Sequence, residues 1–182
     1  MKQTTLAVLA AAALLCSADA QAQYRGDGGL TVTVGRHSVR GGFIHYPNGI
    51  MLDVLAARRV RTMHGWSMVA AGGIGVIWCG STMDVCRIGP DGACAPKGNF
   101  VAFDALVGVA KPIGRVRARV LAGPALYNGA EDKSLGVQAR LDLSAPASSH
   151  HGLGGMLRAT WLPSHGGDRL TMWAAGGTLS FR

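Results

Sequence analysis

The sequence predicts an all-β fold, eight antiparallel strands closed up-and-down into a transmembrane β-barrel. Three observations carry this expectation. Apolar residues recur with a period of two along most of the chain, and glycine is abundant at 27 of 182 residues, about twice its usual ~7% share. The third is the segment from Trp66 to Trp78. Every second residue there is apolar (Trp66, Met68, Ala70, Gly72, Ile74, Val76, Trp78), against the smaller set Ser67, Val69, Ala71, Gly73, Gly75 and Ile77. Alternate side chains point to opposite faces of a strand, so one face is greasy and bracketed by indoles. Twelve steps of ~3.3 Å make roughly 40 Å, which a tilt of ~40° reduces to about 30 Å, near the spacing of two aromatic girdles around a ~25 Å apolar band. Tryptophan suits such borders, with its ring buried and its N–H wet.

The N-terminus reads as a secretory signal peptide, residues 1–22, removed on export. Lys2 supplies the positive end and Leu6 to Leu15 the apolar stretch. Ala18-Asp19-Ala20 or Ala20-Gln21-Ala22 provides the cleavage site. The apolar run is too short for a membrane helix. Leu15 precedes Cys16 where lipoprotein processing wants a small residue, so Cys16 leaves with the signal. Residues 23–182 then form a single domain. The chain is 48% hydrophobic yet carries a formal charge of +8, and losing Lys2 and Asp19 leaves that charge unchanged. Glycine-rich sequence is poor for helices, at about 1 kcal/mol per interior glycine, and suits turns and narrow barrel walls.

The first strand sets Leu30, Val32 and Val34 against Thr31, Thr33 and Gly35. The second alternates Ile50, Leu52, Val54, Ala56 with Met51, Asp53, Leu55, Ala57, and Trp66 to Trp78 is the third. The fourth opposes Val101, Phe103, Ala105, Val107, Val109 to Ala102, Asp104, Leu106, Gly108. The fifth opposes Val116, Ala118, Val120, Ala122 to Arg115, Arg117, Arg119. In the sixth, Val137, Ala139, Leu141 and Leu143 alternate with Gly136, Gln138, Arg140 and Asp142. Leu153, Gly155, Leu157, Ala159 and Trp161 alternate with Gly154, Met156, Arg158 and Thr160 in the seventh. The last sets Trp173, Ala175, Gly177, Leu179 and Phe181 against Met172, Ala174, Gly176, Thr178 and Ser180. Lengths meet the ~9–11 residues that a tilted membrane strand needs. Tight turns are expected at Arg58 to Thr62 and Lys111 to Gly114, with a short polar connection from Ala145 to Gly152. The longest connections, 36–48 and 79–99, follow odd-numbered strands, as do the modest ones near 128–133 and 164–168.

Short turns on one side and longer loops on the other are the habit of outer-membrane barrels. On this pattern the mature chain resembles the small eight-stranded outer-membrane barrels of the OmpA/OmpX type. The C-terminal strand carries the most specific part of the likeness, with Trp173, Leu179 and Phe181 on the lipid-facing register; Arg182 after the aromatic is a departure. The resemblance implies insertion by the barrel-assembly machinery into the outer membrane of a diderm bacterium, with outer-membrane lipid as the surrounding partner. Trp66, Trp78, Trp161, Trp173 and Phe181 are the expected interface aromatics.

The charges fit that picture better than a nucleic-acid surface. A basic excess alone would allow nucleic acid, but Arg115, Arg117 and Arg119 alternate with apolar residues in an exported protein. They are expected to point inward with Arg140, Arg158, Asp53, Asp104 and Asp142, pairing across a narrow lumen because buried charges must pair. Eight strands leave an interior just wide enough for side chains, so the lumen is expected to be plugged and the protein not a pore. His37, His45, His64, His150, His151 and His165 fall in expected loops or strand ends. The local pairs His37 with Ser38 and His165 with Ser164 point to opposite faces of a strand, which is wrong for a hydrolytic triad. No catalytic residue, cofactor or metal ligand set is expected.

Cys79, Cys86 and Cys94 sit in the 79–99 connection of a compartment that permits disulfides. Cys86–Cys94 is the favoured pair, with Cys79–Cys94 as the alternative. The expected role is non-enzymatic, structural or interactive, with the 79–99 loop available to an extracellular partner. A membrane-embedded lipid hydrolase or acyltransferase is one rival. A soluble periplasmic lipocalin-like barrel with the apolar face turned inward is another, since alternation alone does not say which face is out.

Overall fold

The computed structural model describes residues 28–40, 49–78, 99–128, 133–163 and 169–181. They form eight strands: β1 (Gly29–Arg40), β2 (Gly49–Met63), β3 (Trp66–Trp78), β4 (Asn99–Ile113), β5 (Val116–Asn128), β6 (Lys133–Pro146), β7 (His151–Pro163) and β8 (Arg169–Phe181). Each pairs antiparallel with its sequence neighbours, and β1 pairs with β8 to close the barrel. Among the described residues no helix is long and apolar enough to cross a membrane, which says nothing of a β-barrel.

The period of two becomes the wall. Thr31, Thr33, Met51, Asp53, Leu55, Val69, Ile77, Asp104, Leu106, Arg140 and Met172 face the interior, and Val34, Ile50, Met68, Phe103, Val107, Val120, Leu135, Val137 and Leu157 face out. Tracing the register from Leu30 through Ala56, Gly72 and Ala105, on to Pro124 by continuing the Asp104–Ala125 and Val107–Ala122 pairing, and through Val137, Trp161 and Thr171 returns to β1 at Arg40, a stagger of ten residues (40 − 30). Strand number and stagger together fix tilt and bore. At the β1–β8 seam Gly35 and Gly176 are partners, and a Cβ on Gly35 would stand 2.8 Å from the Gly176 Cα. The seam closes because neither carries a side chain.

The short connections define one rim, called here the turn rim, where β1 begins and β8 ends. His64-Gly65 joins β2 to β3 with both residues at positive φ, 46° and 79°, the backbone of a two-residue hairpin turn whose twist matches the strands. Gly114-Arg115 joins β4 to β5 with Gly114 at φ 62°. Replacing Gly114 with alanine places a Cβ in the left-handed region and is expected to cost about 1 kcal/mol, read as a lower urea midpoint for unfolding from phospholipid vesicles. The opposite, loop rim carries the connections after β1, β3, β5 and β7.

Three expectations about strand ends are corrected. Arg58 to Thr62 is not a turn: β2 runs on to Met63 through a bulge between Arg59 and Arg61, leaving Val60 as the extra residue. Beyond the Gly29–Ala57 pair β2 has no β1 partner, and Arg58 to Met63 is exposed on both faces, so charges there do not end the strand. Lys111-Pro112-Ile113 is likewise strand, with Pro112 opposite Arg117. β1 continues to Arg40 because β8 reaches far enough to pair with it.

Candidate functional site: lumen charge layer and outer belt

The lumen holds a polar layer between two apolar clusters. Toward the loop rim Met51, Ile77, Ala102, Ala125, Tyr127, Met156, Leu162, Met172 and Ala174 pack together. Toward the turn rim lie Leu55, Val69, Leu106, Ala110 and Leu121. Asp53 falls between Met51 and Leu55 on β2, and Asp104 between Ala102 and Leu106 on β4, so inward parity alone puts both carboxylates in the middle layer.

Arg140 on β6 is the hub, 1% exposed. Its Nη1 donates to Asp53 Oδ2, its Nε to Asp142 Oδ1 at 2.8 Å, and its Nη2 to Thr33 Oγ1 at 3.2 Å. Arg119 shares Asp142: its Nε donates to Oδ2 at 2.9 Å, and its Nη2 reaches Thr31 Oγ1 at 3.2 Å. Arg158 Nη1 stands 3.6 Å from Asp53 and 3.9 Å from Asp104, beyond direct hydrogen-bond length, so that attraction is coulombic. Gln138 Nε2 donates to Asp104 Oδ2 at 3.2 Å. Tyr127 Oη and Thr160 Oγ1 are hydrogen-bonded at 3.0 Å, one hydroxyl donating to the other, and the accepting hydroxyl donates in turn to Gln138 Oε1 at 3.4 Å. Among the described residues the buried arginines (Arg119, Arg140, Arg158) equal the buried aspartates (Asp53, Asp104, Asp142) in number, so their charges cancel. Such matching offsets a desolvation cost that either sign alone could not bear.

Arg115 lies elsewhere. It occupies the exposed β4–β5 turn, because Gly114 ends the hairpin one residue before β5 begins. Arg117 is half-buried at the turn-rim mouth. It lines a cavity of about 30 Å³ with Thr31, Arg119, Asp142, Ser144 and Thr178, room for a few waters. Tyr127 and His37 also belong to the interior, though neither was expected there. Tyr127 keeps step with Leu121, Gly123 and Ala125 on β5, and that parity is its sequence signal. His37 is buried on β1, not solvated in a loop, because β1 extends past it.

Outside, the belt is mostly apolar, with Arg36 exposed on β1 toward the loop rim and Arg58 and Arg61 exposed on β2 toward the turn rim. The barrel stagger brings Trp78, Trp161 and Trp173, none of them register partners of one another, to a common level near the loop rim. Trp66 and Phe181 lie near the turn rim, and all five rings are exposed on the outer face. With ~3.3 Å per residue and a tilt of about 40°, the two levels stand roughly 25 Å apart, the height of a barrel's apolar band. With apolar residues outward and arginines inward, the barrel has the opposite polarity to a lipocalin-like one.

The remaining candidates divide by place. His64 is exposed in its turn, His150 is exposed just before β7, and His151 is exposed as the first residue of β7. Ser148 Oγ lies 3.0 Å from His151 Nδ1 but also accepts the His150 and His151 amides at 3.3 and 3.1 Å, which spends the hydroxyl on the turn. His151 meets Phe181 edge-on at 5.4 Å. No group of three or more metal-ligating side chains occurs among the described residues. His45, His165, Cys79, Cys86, Cys94, the signal segment 1–22 and most of the 79–99 connection lie outside the described residues.

No protein-family model and no curated protein matches the sequence. Solved structures do. Neisserial surface protein A superposes with a TM-score of 0.51 at 13% identity, covering 86% of this chain and 100% of that one. The attachment invasion locus protein Ail of Yersinia pestis follows at 0.48 and 13%, covering 86% and 99%. A de novo designed transmembrane β-barrel scores 0.38 at 12%, covering 88% and 100%. The fold is that of the small eight-stranded outer-membrane barrels.

Proposed function

We propose that the chain is a non-enzymatic outer-membrane protein with a structural or surface-interaction role, exported by its N-terminal signal. Its charged lumen acts as a plug. The connections at the loop rim face the exterior, with residues 79–99 as the surface open to a partner and a Cys86–Cys94 bridge stiffening it. The observation that carries this reading is the polarity of the wall: arginines and aspartates matched in number and paired inside, and a mostly apolar belt between two aromatic levels outside. A mutually neutralised centre favours rigidity over transport, since an ion passing through would have to break buried pairs. The fold shared with a Neisserial surface protein is compatible with display at the cell surface.

Two readouts test it. The purified barrel in planar bilayers is expected to pass no stepwise ion current. Its overexpression in a diderm host is expected to leave lipid A and phospholipid profiles unchanged. Discrete conductance steps would show a pore, and a new lipid species would show an enzyme.

A further inference from the structure

The turn rim carries a cationic surface that the lumen does not use. Arg58, Arg59 and Arg61 are exposed on the β2 extension, and Arg115 is exposed in the neighbouring turn. Register places Arg61 opposite Met68, and Arg58 opposite Ala70, on the outer face. Lys111, on the adjoining strand, holds its ammonium 4.6 Å from the centre of the Trp66 ring, a cation–π contact. Every carboxylate side chain among the described residues (Asp53, Asp104, Asp142) is buried in the lumen, so none of them neutralises this rim. Between the cations stand exposed apolar residues, Val60, Met63, Met68 and Ile113.

We infer that Arg58, Arg61 and Lys111, grouped around Trp66, bind the phosphates of anionic phospholipids in the leaflet bordering the turn rim. This rests on the membrane reading above. The interleaving favours lipid over a cell-wall polymer or an acidic protein. Cations at the level of an interfacial tryptophan, alternating with apolar side chains, match a ligand that carries a phosphate beside hydrocarbon. Arginine and lysine stems lie along apolar surface while their heads reach the headgroup plane. A glycan strand offers carboxylates but nothing for Met63, Met68 and Ile113 to cover. Each cation near an anionic surface contributes about fivefold in affinity, and the effect weakens with salt.

The test uses the full mature chain with Trp78, Trp161 and Trp173 replaced by phenylalanine, so that Trp66 alone reports. The protein is reconstituted in vesicles with brominated phosphatidylglycerol or brominated phosphatidylcholine. Trp66 quenching is expected to show a preference for phosphatidylglycerol of about fivefold or more at low salt, fivefold being the contribution of a single cation. That preference should shrink as salt is raised and approach unity in R58Q/R61Q/K111Q. The single variant K111Q and the salt series carry the test if the triple variant does not fold. Equal quenching by the two lipids, or a preference unchanged in the variants, overturns the inference. Co-sedimentation with peptidoglycan sacculi that depends on these residues, without a lipid preference, overturns it in favour of the cell wall. A compact unboiled gel band in every sample separates failure of this inference from failure of the barrel itself.

Discussion

Replacing Arg140 with methionine is expected to destabilise the barrel by about 3–5 kcal/mol, although the new side chain is apolar and close in length. The loss comes from what stays behind. Asp53 is fully buried and would keep only the longer approach of Arg158 at 3.6 Å; Asp142 would keep Arg119 alone. A carboxylate with no matching donor in a low-dielectric interior bears its whole desolvation cost. Adding Asp53→Asn to Arg140→Met should recover part of the loss, because it removes the charge left without its main partner. Urea unfolding from phospholipid vesicles measures both. A change below about 1 kcal/mol for the single variant, in the range of exposed ion pairs, would mean that the layer is open to water and not closed by its own pairs.

The second large effect lies on the outer face. Val107 is 67% exposed and sits near mid-height on β4, opposite Ala70 and Ala122. Arginine at that position is expected to cost roughly 2–4 kcal/mol, the range for a cation at the bilayer midplane, whereas arginine at Ile113 near the turn rim should cost about 0–1 kcal/mol. In a water-soluble barrel both positions would be ordinary surface, and both changes would fall within about 0.5 kcal/mol. The contrast between the two positions, measured by the same unfolding assay, therefore reports what the belt touches.

The faces of the wall were legible because strand parity is rigid. Once Trp66 to Trp78 sets a greasy side, the same rule places Asp53, Asp104, Arg119, Arg140, Asp142 and Arg158 opposite it. Parity fails where the backbone breaks step. The bulge at Val60 turns both Arg58 and Arg61 outward, which blurs the alternation and imitates a turn. Arg115 keeps the parity of Arg117 and Arg119 but falls one residue outside the strand, a boundary set by the positive φ of Gly114. His37 resembled a loop residue because it sits at the last β1–β2 pair, opposite Gly49, and the strand runs on past it only beside β8, whose Ala174 is its other partner from the far end of the chain. Which arginine meets which aspartate was out of reach for a related reason. Arg140 meets Asp53 across the lumen only because the ten-residue stagger brings β2 and β6 side chains to a common level, and no local pattern encodes that stagger.

All of this depends on bilayer, not water, wetting the outward half of the zigzag. Separation of envelope fractions from cells making the full-length protein tests it most directly. The protein should sediment with the outer membrane, stay there through washes with urea and alkaline carbonate, and come free only in detergent. Recovery from the soluble periplasm without detergent would contradict the account.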